Sequence, residues 1–267
     1  MYKGGTGKSH VFNALMEYTR LRYGKTFGIY SSTMAFGPSG CSSHNLGGRT
    51  WQSAVSVSYN NSKSVDSAKL RLIGENFRGI RLIILDEISM ISPSSLATFE
   101  HRLRHGIAHI EMDETKKKRI LQTAFGGVHV IFGGDFYQLD PVMAGVSFYT
   151  PPRANENTYT KKGRALFDLI NVCIELTENC RISKDSQGSV LANFNRTARI
   201  GQPDEKLMNL LNGTRISLHK TVGPLLKDIA QTYDSQNVLR GPHKASQVLV
   251  LAATWKQVPL KIHAIYI

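Results

Sequence analysis

Two short stretches of this 267-residue chain carry the residue types of phosphate chemistry. The first is Gly5-Thr6-Gly7-Lys8-Ser9, directly ahead of a segment with helical periodicity. Glycines there let backbone N–H groups point at phosphate oxygens, Lys8 reaches the β and γ phosphates, and the Ser9 hydroxyl can ligate Mg²⁺. The complete pattern Gly-x-x-x-x-Gly-Lys-Ser/Thr asks for glycine at position 2, where this chain has Tyr2. By themselves the five residues therefore fit either a nucleotide site or a glycine-rich turn opening a helix. The second stretch is Leu82-Ile83-Ile84-Leu85-Asp86-Glu87, an apolar strand delivering two carboxylates to its C-terminal end. Asp86 can hold Mg²⁺ through water and Glu87 can polarise an attacking water. Solvated acids capping a strand would read the same way, but a phosphate loop upstream in the same chain favours the catalytic reading.

The elements that must position these residues follow an α/β pattern, in which apolar runs suited to buried parallel strands alternate with amphipathic segments. Strands are expected at 80–85 and at 128–132, the latter running into Gly133, Gly134 and Asp135. Further strands are expected at 27–30, 172–176 and 247–251. A helix is expected from Lys8 to about Tyr23, with Val11, Leu15 and Tyr18 on one face, Phe12 and Met16 beside them, and Gly24 as its stop. Another has Ser92 as N-cap, Pro93 at the first helical position, and Leu96, Phe99 and Leu103 at core spacing. Residues 38–45, 151–160 and the basic run 116–119 read as surface loops.

With 41% hydrophobic and 20% charged residues the chain is too apolar for disorder and long enough to bury a core. Its apolar runs fall far short of the roughly 20 residues that cross a bilayer. Lys3, Lys8 and Ser9 occupy the place a signal peptide would fill with apolar residues. Three cysteines without CxxC spacing support neither a disulfide framework nor a zinc ribbon, and fit a reducing compartment. Cys173 and Cys180 read as a buried thiol and a chance neighbour. Lys plus Arg number 33 against 20 for Asp plus Glu, a formal charge of +13 that draws polyanions, nucleic acid first among them.

A third stretch, Gly133-Gly134-Asp135-Phe136-Tyr137-Gln138-Leu139-Asp140-Pro141-Val142, is more specific. Taken with Asp86-Glu87-Ile88-Ser89-Met90, it resembles the superfamily 1 DNA helicases of the petite-integration-frequency family, which include the helicase portion of Helitron transposons and, more distantly, RecD. The family's third motif reads Gly-Asp-Phe-x-Gln-Leu-Pro-Pro-Val, and Asp140 here replaces its first proline. The resemblance implies an α/β fold of the RecA-like P-loop NTPase kind, a parallel sheet flanked by helices. It also implies that Gln138 senses the γ-phosphate and couples it to a DNA groove. Gly47-Gly48-Arg49-Thr50-Trp51-Gln52-Ser53 resembles the family's Gly-Gly-x-Thr-x-His-Ser, which contacts the backbone of single-stranded DNA, with Gln52 in the histidine's place. Gly48, Thr50 and Trp51 thereby become candidate DNA contacts, and Thr33 aligns with the preceding Thr-Gly motif. Leu176-Thr177-Glu178-Asn179-Cys180-Arg181 resembles the motif whose arginine reaches the γ-phosphate, although Ile182 follows where glutamine is usual. Residues 194–201 and 207–211 resemble the family's subsequent helical segment. Residues 248–256 resemble the opening of the second motor domain, with Thr254 at the motif threonine as a further DNA contact.

On this resemblance, residues 1–183 form the first RecA-like motor domain without the strand that precedes the phosphate loop. Residues 184–245 form the helical and loop segment after the motif arginine, and 246–267 the truncated start of the second domain. The implied activity is ATP hydrolysis with Mg²⁺, coupled to 5′-to-3′ movement on single-stranded DNA and to duplex unwinding. Repair, recombination, telomere maintenance or transposition are the implied settings. Single-stranded DNA and DNA junctions are the expected partners, no membrane is expected, and the expected state is a monomer. The expected compartment is the nucleus or mitochondrion in a eukaryote, and the cytoplasm otherwise. Two rival readings are a nucleic-acid-binding remnant without ATP turnover and a nucleotide switch without DNA, against which the third motif argues.

Three features carry competing readings. His101, His105 and His109, spaced by four, would suit a metal on one helical face. Gly106 between them, the lack of a completing Cys or acid, and the neighbouring Arg102 and Arg104 favour a solvated or DNA-facing basic surface. Trp51 is balanced between base stacking and core packing, while packing is favoured for Phe136.

Overall fold

A computed structural model describes residues 6–27, 32–44, 46–57, 65–141 and 146–178, with Cys180, Asn193 and Thr197. All of them fall in one compact unit, Met1–Arg199. Gly5, Arg181 and Thr254 lie outside the described residues, as do the expected strand at 247–251 and the stretches 207–211 and 248–256.

In chain order the elements are α1 (Lys8–Phe27), β1 (Thr33–Gly37), α2 (Gly40–His44), β2 (Arg49–Thr50), α3 (Trp51–Ala54), α4 (Ser67–Asn76), β3 (Leu82–Leu85), α5 (Pro93–Ile110), α6 (Glu114–Gln122), β4 (His129–Phe132) and α7 (Thr158–Phe167), with 3₁₀ turns at Ile88–Met90 and Ala124–Gly127. The strands pair in the order β2-β1-β3-β4, and every pair is parallel. Alternation along each strand sends side chains to two separate cores. Ala35, Leu82, Ile84 and Ile131 face α1, packing with Phe12, Met16 and Leu46. Met34, Phe36, Ile83, Leu85, Val130 and Phe132 face the larger core with Trp51, Ile73, Leu96, Phe99 and Leu103. All four residues of β3 are buried, which is what an uninterrupted apolar run requires of a central parallel strand.

The helix expected from Ser92 stands as read: Ser92 Oγ accepts from the Ser95 backbone N–H, Pro93 opens α5, and Leu96, Phe99 and Leu103 are buried. Elsewhere the structure corrects the sequence reading. Gly24 does not stop α1, which continues to Phe27; a strand paired with β3 is Thr33–Gly37, and residues 28–30 of the strand expected at 27–30 lie outside the described residues. One glycine costs a helix only about 1 kcal/mol, too little to end one of this length. The inward face of α1 is Phe12, Leu15, Met16 and Thr19, while Val11 and Tyr18 are exposed. Two contacts set this rotation: Phe12 lies against Gly133, and Ser32 Oγ donates to Thr19 O at 3.1 Å.

Residues 38–45 hold the short helix α2, nucleated by reciprocal bonds in which Ser39 N donates to Ser42 Oγ at 3.2 Å and Ser42 N to Ser39 Oγ at 3.3 Å. The basic run 116–119 lies in α6, not in a loop, because Asp113 caps the N–H groups of Thr115 and Lys116. Residues 151–160 are a loop only as far as Asn157, whose side chain caps α7 through the Thr160 N–H. Residues 172–176 form no strand; Val172 and Ile174 are exposed, and β-propensity without an apolar face to cover does not make one. Cys173 is likewise exposed, not a buried thiol. Among the described residues no helix is long and apolar enough to cross a membrane.

Candidate functional site

In a parallel sheet the C-terminal strand ends share one edge, and ligands bind in the crevice outside it. Gly37, Thr50, Asp86 and Gly133 all stand at or just past that edge. Two backbone bonds stitch its centre, Gly133 N to Leu85 O at 2.8 Å and Ile88 N to Gly133 O at 2.9 Å. They bring 133–135 beside Asp86 and Glu87. Gly133 and Gly134 make the approach possible on both sides. A Cβ on Gly133 would lie 2.1 Å from the Phe12 ring, and one on Gly134 would lie 2.8 Å from the Ile88 backbone nitrogen.

The phosphate loop joins the same cluster. Gly7 has φ +87°, a left-handed conformation that favours glycine, and its carbonyl accepts the Val11 N–H of the first helical turn. The first turn of the 20-residue α1 holds no acid, so nothing within the helix itself offsets its positive end, which faces Thr6 and Gly7. The Lys8 ammonium pairs with the Asp86 carboxylate and lies 3.2 Å from Glu87 Oε1. The structure therefore joins three residues that the sequence separates by 78 and 79 positions. Ser9 is exposed on the first turn.

Asp86 is 5% exposed and also accepts the Glu87 backbone N–H at 2.8 Å. Glu87 adopts φ 51° and ψ 49°, a left-handed conformation costing roughly 1–2 kcal/mol for a non-glycine residue. That turn carries the chain from β3 into the 3₁₀ segment and leaves Glu87 Oε2 buried without a hydrogen-bond partner. A buried carboxylate oxygen with a spare acceptor site, beside a lysine and a helix N-terminus, suits a bound water or a hydrated divalent cation. Ser9 and Asp86 fit Mg²⁺ in chemistry, as hydroxyl and carboxylate oxygen donors next to a phosphate loop.

Beyond β4, Asp135 is 3% exposed and holds two groups, accepting from Tyr137 N at 3.0 Å and from Gln138 Nε2 at 3.2 Å. Asp135 thus restrains the side chain the sequence singled out. Its own role went unread, although a polar residue past a strand end was the available signal.

The 47–53 stretch occupies the same sheet edge, two strands from β3 and so about 10 Å away. Gly48 passes so close to β1 that a Cβ would stand 2.1 Å from Ala35 O. Thr50 caps α3 by accepting the Ser53 N–H at 3.3 Å. Gly48 and Arg49 are exposed, Thr50 is half-buried, and Gln52 Oε1 is enclosed without a partner. Trp51 resolves toward packing: its ring is buried and meets Phe99 edge-on at 6.4 Å. It supports the element from beneath and presents no stacking platform.

The histidine row is also corrected as a solvated basic surface. His101 and His105 lie 4.2 Å apart beside Tyr159 of α7, and burial is the main cause that pushes His101 down to about 4. Arg102 is buried and donates to the Val55 and Ser56 carbonyls, while Arg104 pairs with buried Glu100, which Lys162 also reaches. Only His109 is exposed, with Nε2 3.2 Å from Ser67 Oγ. Among the described residues no group of three or more His, Cys, Asp and Glu is arranged to hold a metal.

The family model described as PIF1-like helicase matches residues 2–202. The ATP-dependent DNA helicase PIF3 of Trypanosoma brucei brucei is 28% identical over 173 residues, covering 65% of this chain and 18% of that protein. The ATP-dependent DNA helicase RRM3 of Saccharomyces cerevisiae is 25% identical over 241 residues, covering 87% of this chain and 26% of that protein. The chain thus spans about a quarter or less of the length of these relatives. The crystal structure of Pif1 helicase from Candida albicans superposes with a TM-score of 0.58 at 21% identity, over 96% of this chain and 47% of that one. Pif1 helicase from Bacteroides, in complex with ADP-AlF3 and ssDNA, gives 0.51 at 20% identity, over 88% and 52%. These likenesses carry the RecA-like α/β fold, in keeping with the parallel sheet and its flanking helices. With the match extending over most of its length, the chain belongs to the PIF1-like helicase family.

Proposed function

We propose that this chain is part of an ATP-dependent DNA helicase, hydrolysing ATP with Mg²⁺ and coupling the cycle to 5′-to-3′ translocation on single-stranded DNA. The observation that carries the reading is the convergence of Lys8, Asp86 and Glu87 at one sheet edge, with a buried, unpartnered Glu87 oxygen beside the phosphate loop. Lys8 and the α1 N-terminus bind the phosphates, Ser9 and Asp86 hold Mg²⁺, Glu87 orients the attacking water, and Gln138 and Arg181 read the γ-phosphate. Gly5, Thr6 and Gly7 supply backbone donors. Gly48 and Thr50 bring the DNA backbone to the neighbouring part of the edge, with Thr254 contributing from the second motor domain. Residues 1–183 act as the first motor domain, 184–245 as the following helical segment and 246–267 as the opening of the second. Single-stranded DNA and DNA junctions are the substrates, in repair, recombination, telomere maintenance or transposition. The names of the relatives and the net charge of +13 support DNA as the partner.

Steady-state ATPase with Mg²⁺, with and without single-stranded DNA, tests the coupling; stimulation by DNA is expected. DNA binding with no turnover would replace the motor by a binding remnant, and turnover indifferent to DNA would replace it by a nucleotide switch. A second measurement is the salt dependence of DNA affinity. About five phosphate contacts give a log–log slope near −3.5, a loss of about a hundredfold between roughly 50 and 200 mM salt. A flat response rejects the phosphate-contacting surface.

A further inference from the structure

Gln138 lies within a short stretch, 136–140, whose two ends are touched by a single side chain. The Tyr149 ring meets Phe136 edge-on, with centroids 6.1 Å apart and an 82° angle between planes. Its hydroxyl donates to the Asp140 carboxylate. This bond is the main cause that raises the Tyr149 phenol above its ordinary pKa, since ionising it would forfeit the donor.

Tyr149 is itself held from α7. Phe148, its neighbour in the chain, stacks on Phe167 at 4.3 Å, and Arg164 Nη1 donates to Phe148 O at 3.0 Å. Phe136 also meets Phe167 edge-on at 6.0 Å. One end of the stretch is therefore fixed by packing and the other by a hydrogen bond, both referred to the same helix. Proline at position 140, the residue of the family motif, would stiffen the backbone by fixing φ. Aspartate gives up that restraint, and its bond to Tyr149 supplies another.

We propose that Tyr149 is a positioning residue for Gln138, bracketing the 136–140 stretch through Phe136 and Asp140 and offsetting the replacement of proline by Asp140. This inference rests on the reading that Gln138 senses the γ-phosphate. Tyr149→Phe keeps the ring and removes only the hydroxyl. It should lower kcat for ATP about three- to tenfold, the effect of one ordinary hydrogen bond, with KM within about twofold and the melting temperature lowered by no more than about 4 °C. Asp140→Asn, which keeps an acceptor, should change kcat by less than about twofold, and adding Asp140→Pro to Tyr149→Phe should restore most of the loss.

In a Gln138→Ala background Tyr149→Phe should have no further effect. An equal loss in both backgrounds, or a fall in melting temperature well beyond about 4 °C, makes Tyr149 merely structural and overturns the proposal while leaving the role of Gln138 standing. If Gln138→Ala alone leaves turnover unchanged, the reading of Gln138 fails and the inference falls with it. Amide exchange gives a readout independent of turnover. The Tyr137 and Gln138 N–H groups, bonded to Asp135 Oδ1 and O, should lose about fivefold in protection in Tyr149→Phe, and unchanged protection would overturn the bracket.

Discussion

Lys8→Ala should abolish nucleotide binding, whereas Glu87→Gln should keep affinity within about threefold of wild type and lower turnover by about a hundredfold or more. The difference follows from what each side chain can do where it stands. Lys8 supplies the cation at the mouth of α1, and in the structure it is engaged by two carboxylates that a phosphate chain would compete with. Its removal takes away phosphate attraction and also leaves Asp86, 5% exposed, without its partner cation. Breaking a buried pair from one side costs up to about 3–5 kcal/mol, and less here because the Lys8 side chain is 24% exposed. Binding of a fluorescent ADP analogue should therefore be measured well below the variant's melting temperature. Glu87→Gln keeps the volume and one oxygen but cannot accept a proton, so binding should survive and the proposed water activation should not. Equal behaviour of the two variants and wild type would remove both residues from the site.

The parts of this arrangement that were legible in the sequence are those set by local pattern. β3 reads as a strand because its apolar run is buried on both faces, and α5 because Ser92 and Pro93 announce its start. The carboxylates, the phosphate loop and Gln138 are chemical groups whose types and order survive any ignorance of packing. What sequence could not supply were choices made by distant neighbours. Which face of α1 turns inward depends on Gly133 and Ser32, not on the periodicity of α1 itself. Trp51 sits in a stretch read as DNA-contacting, yet Phe99 on α5 claims its ring. His101 and His105 of α5 looked solvated because nothing in their own segment shows that α7 packs beside them. Asp135 escaped for a related reason: its importance lies in what it holds, Tyr137 N and Gln138 Nε2, and only the folded chain brings these together.

The contact between α5 and α7 leads to the largest stability effect expected, at Gly163. A Cβ there would stand 1.7 Å from Pro93 O, 2.3 Å from its carbonyl carbon and 2.8 Å from its Cα. These are backbone atoms at the start of α5, so no side-chain rotation can make room and α7 must move outward. That shift would strain the Lys162–Glu100 pair, the Arg164 bond to Phe148 O, and the packing of Phe167 against Phe132, Phe136 and Phe148. Gly163→Ala should cost about 3 kcal/mol, a fall of about 6–12 °C in melting temperature for a domain of this size. Gly106→Ala should also destabilise, though less than Gly163→Ala, because the Cβ would stand 2.5 Å from Cγ2 and 2.8 Å from Cβ of Ile73, a fully buried β-branched residue, with Gly74 N at 3.1 Å behind it. Gly40→Ala serves as the control, since nothing lies within 4 Å of its Cβ; it should be neutral or gain up to about 1 kcal/mol from helix propensity. Thermal melts of the three variants decide the matter, and a Gly163→Ala protein as stable as wild type would mean that α7 does not pack on α5 at this distance. Because Phe167 also supports Phe136, at the head of the stretch carrying Gln138, Gly163→Ala should lose ATP turnover even at temperatures where it remains folded. Gly106→Ala, whose clash lies between α4 and α5 at Ile73, should not show that excess loss.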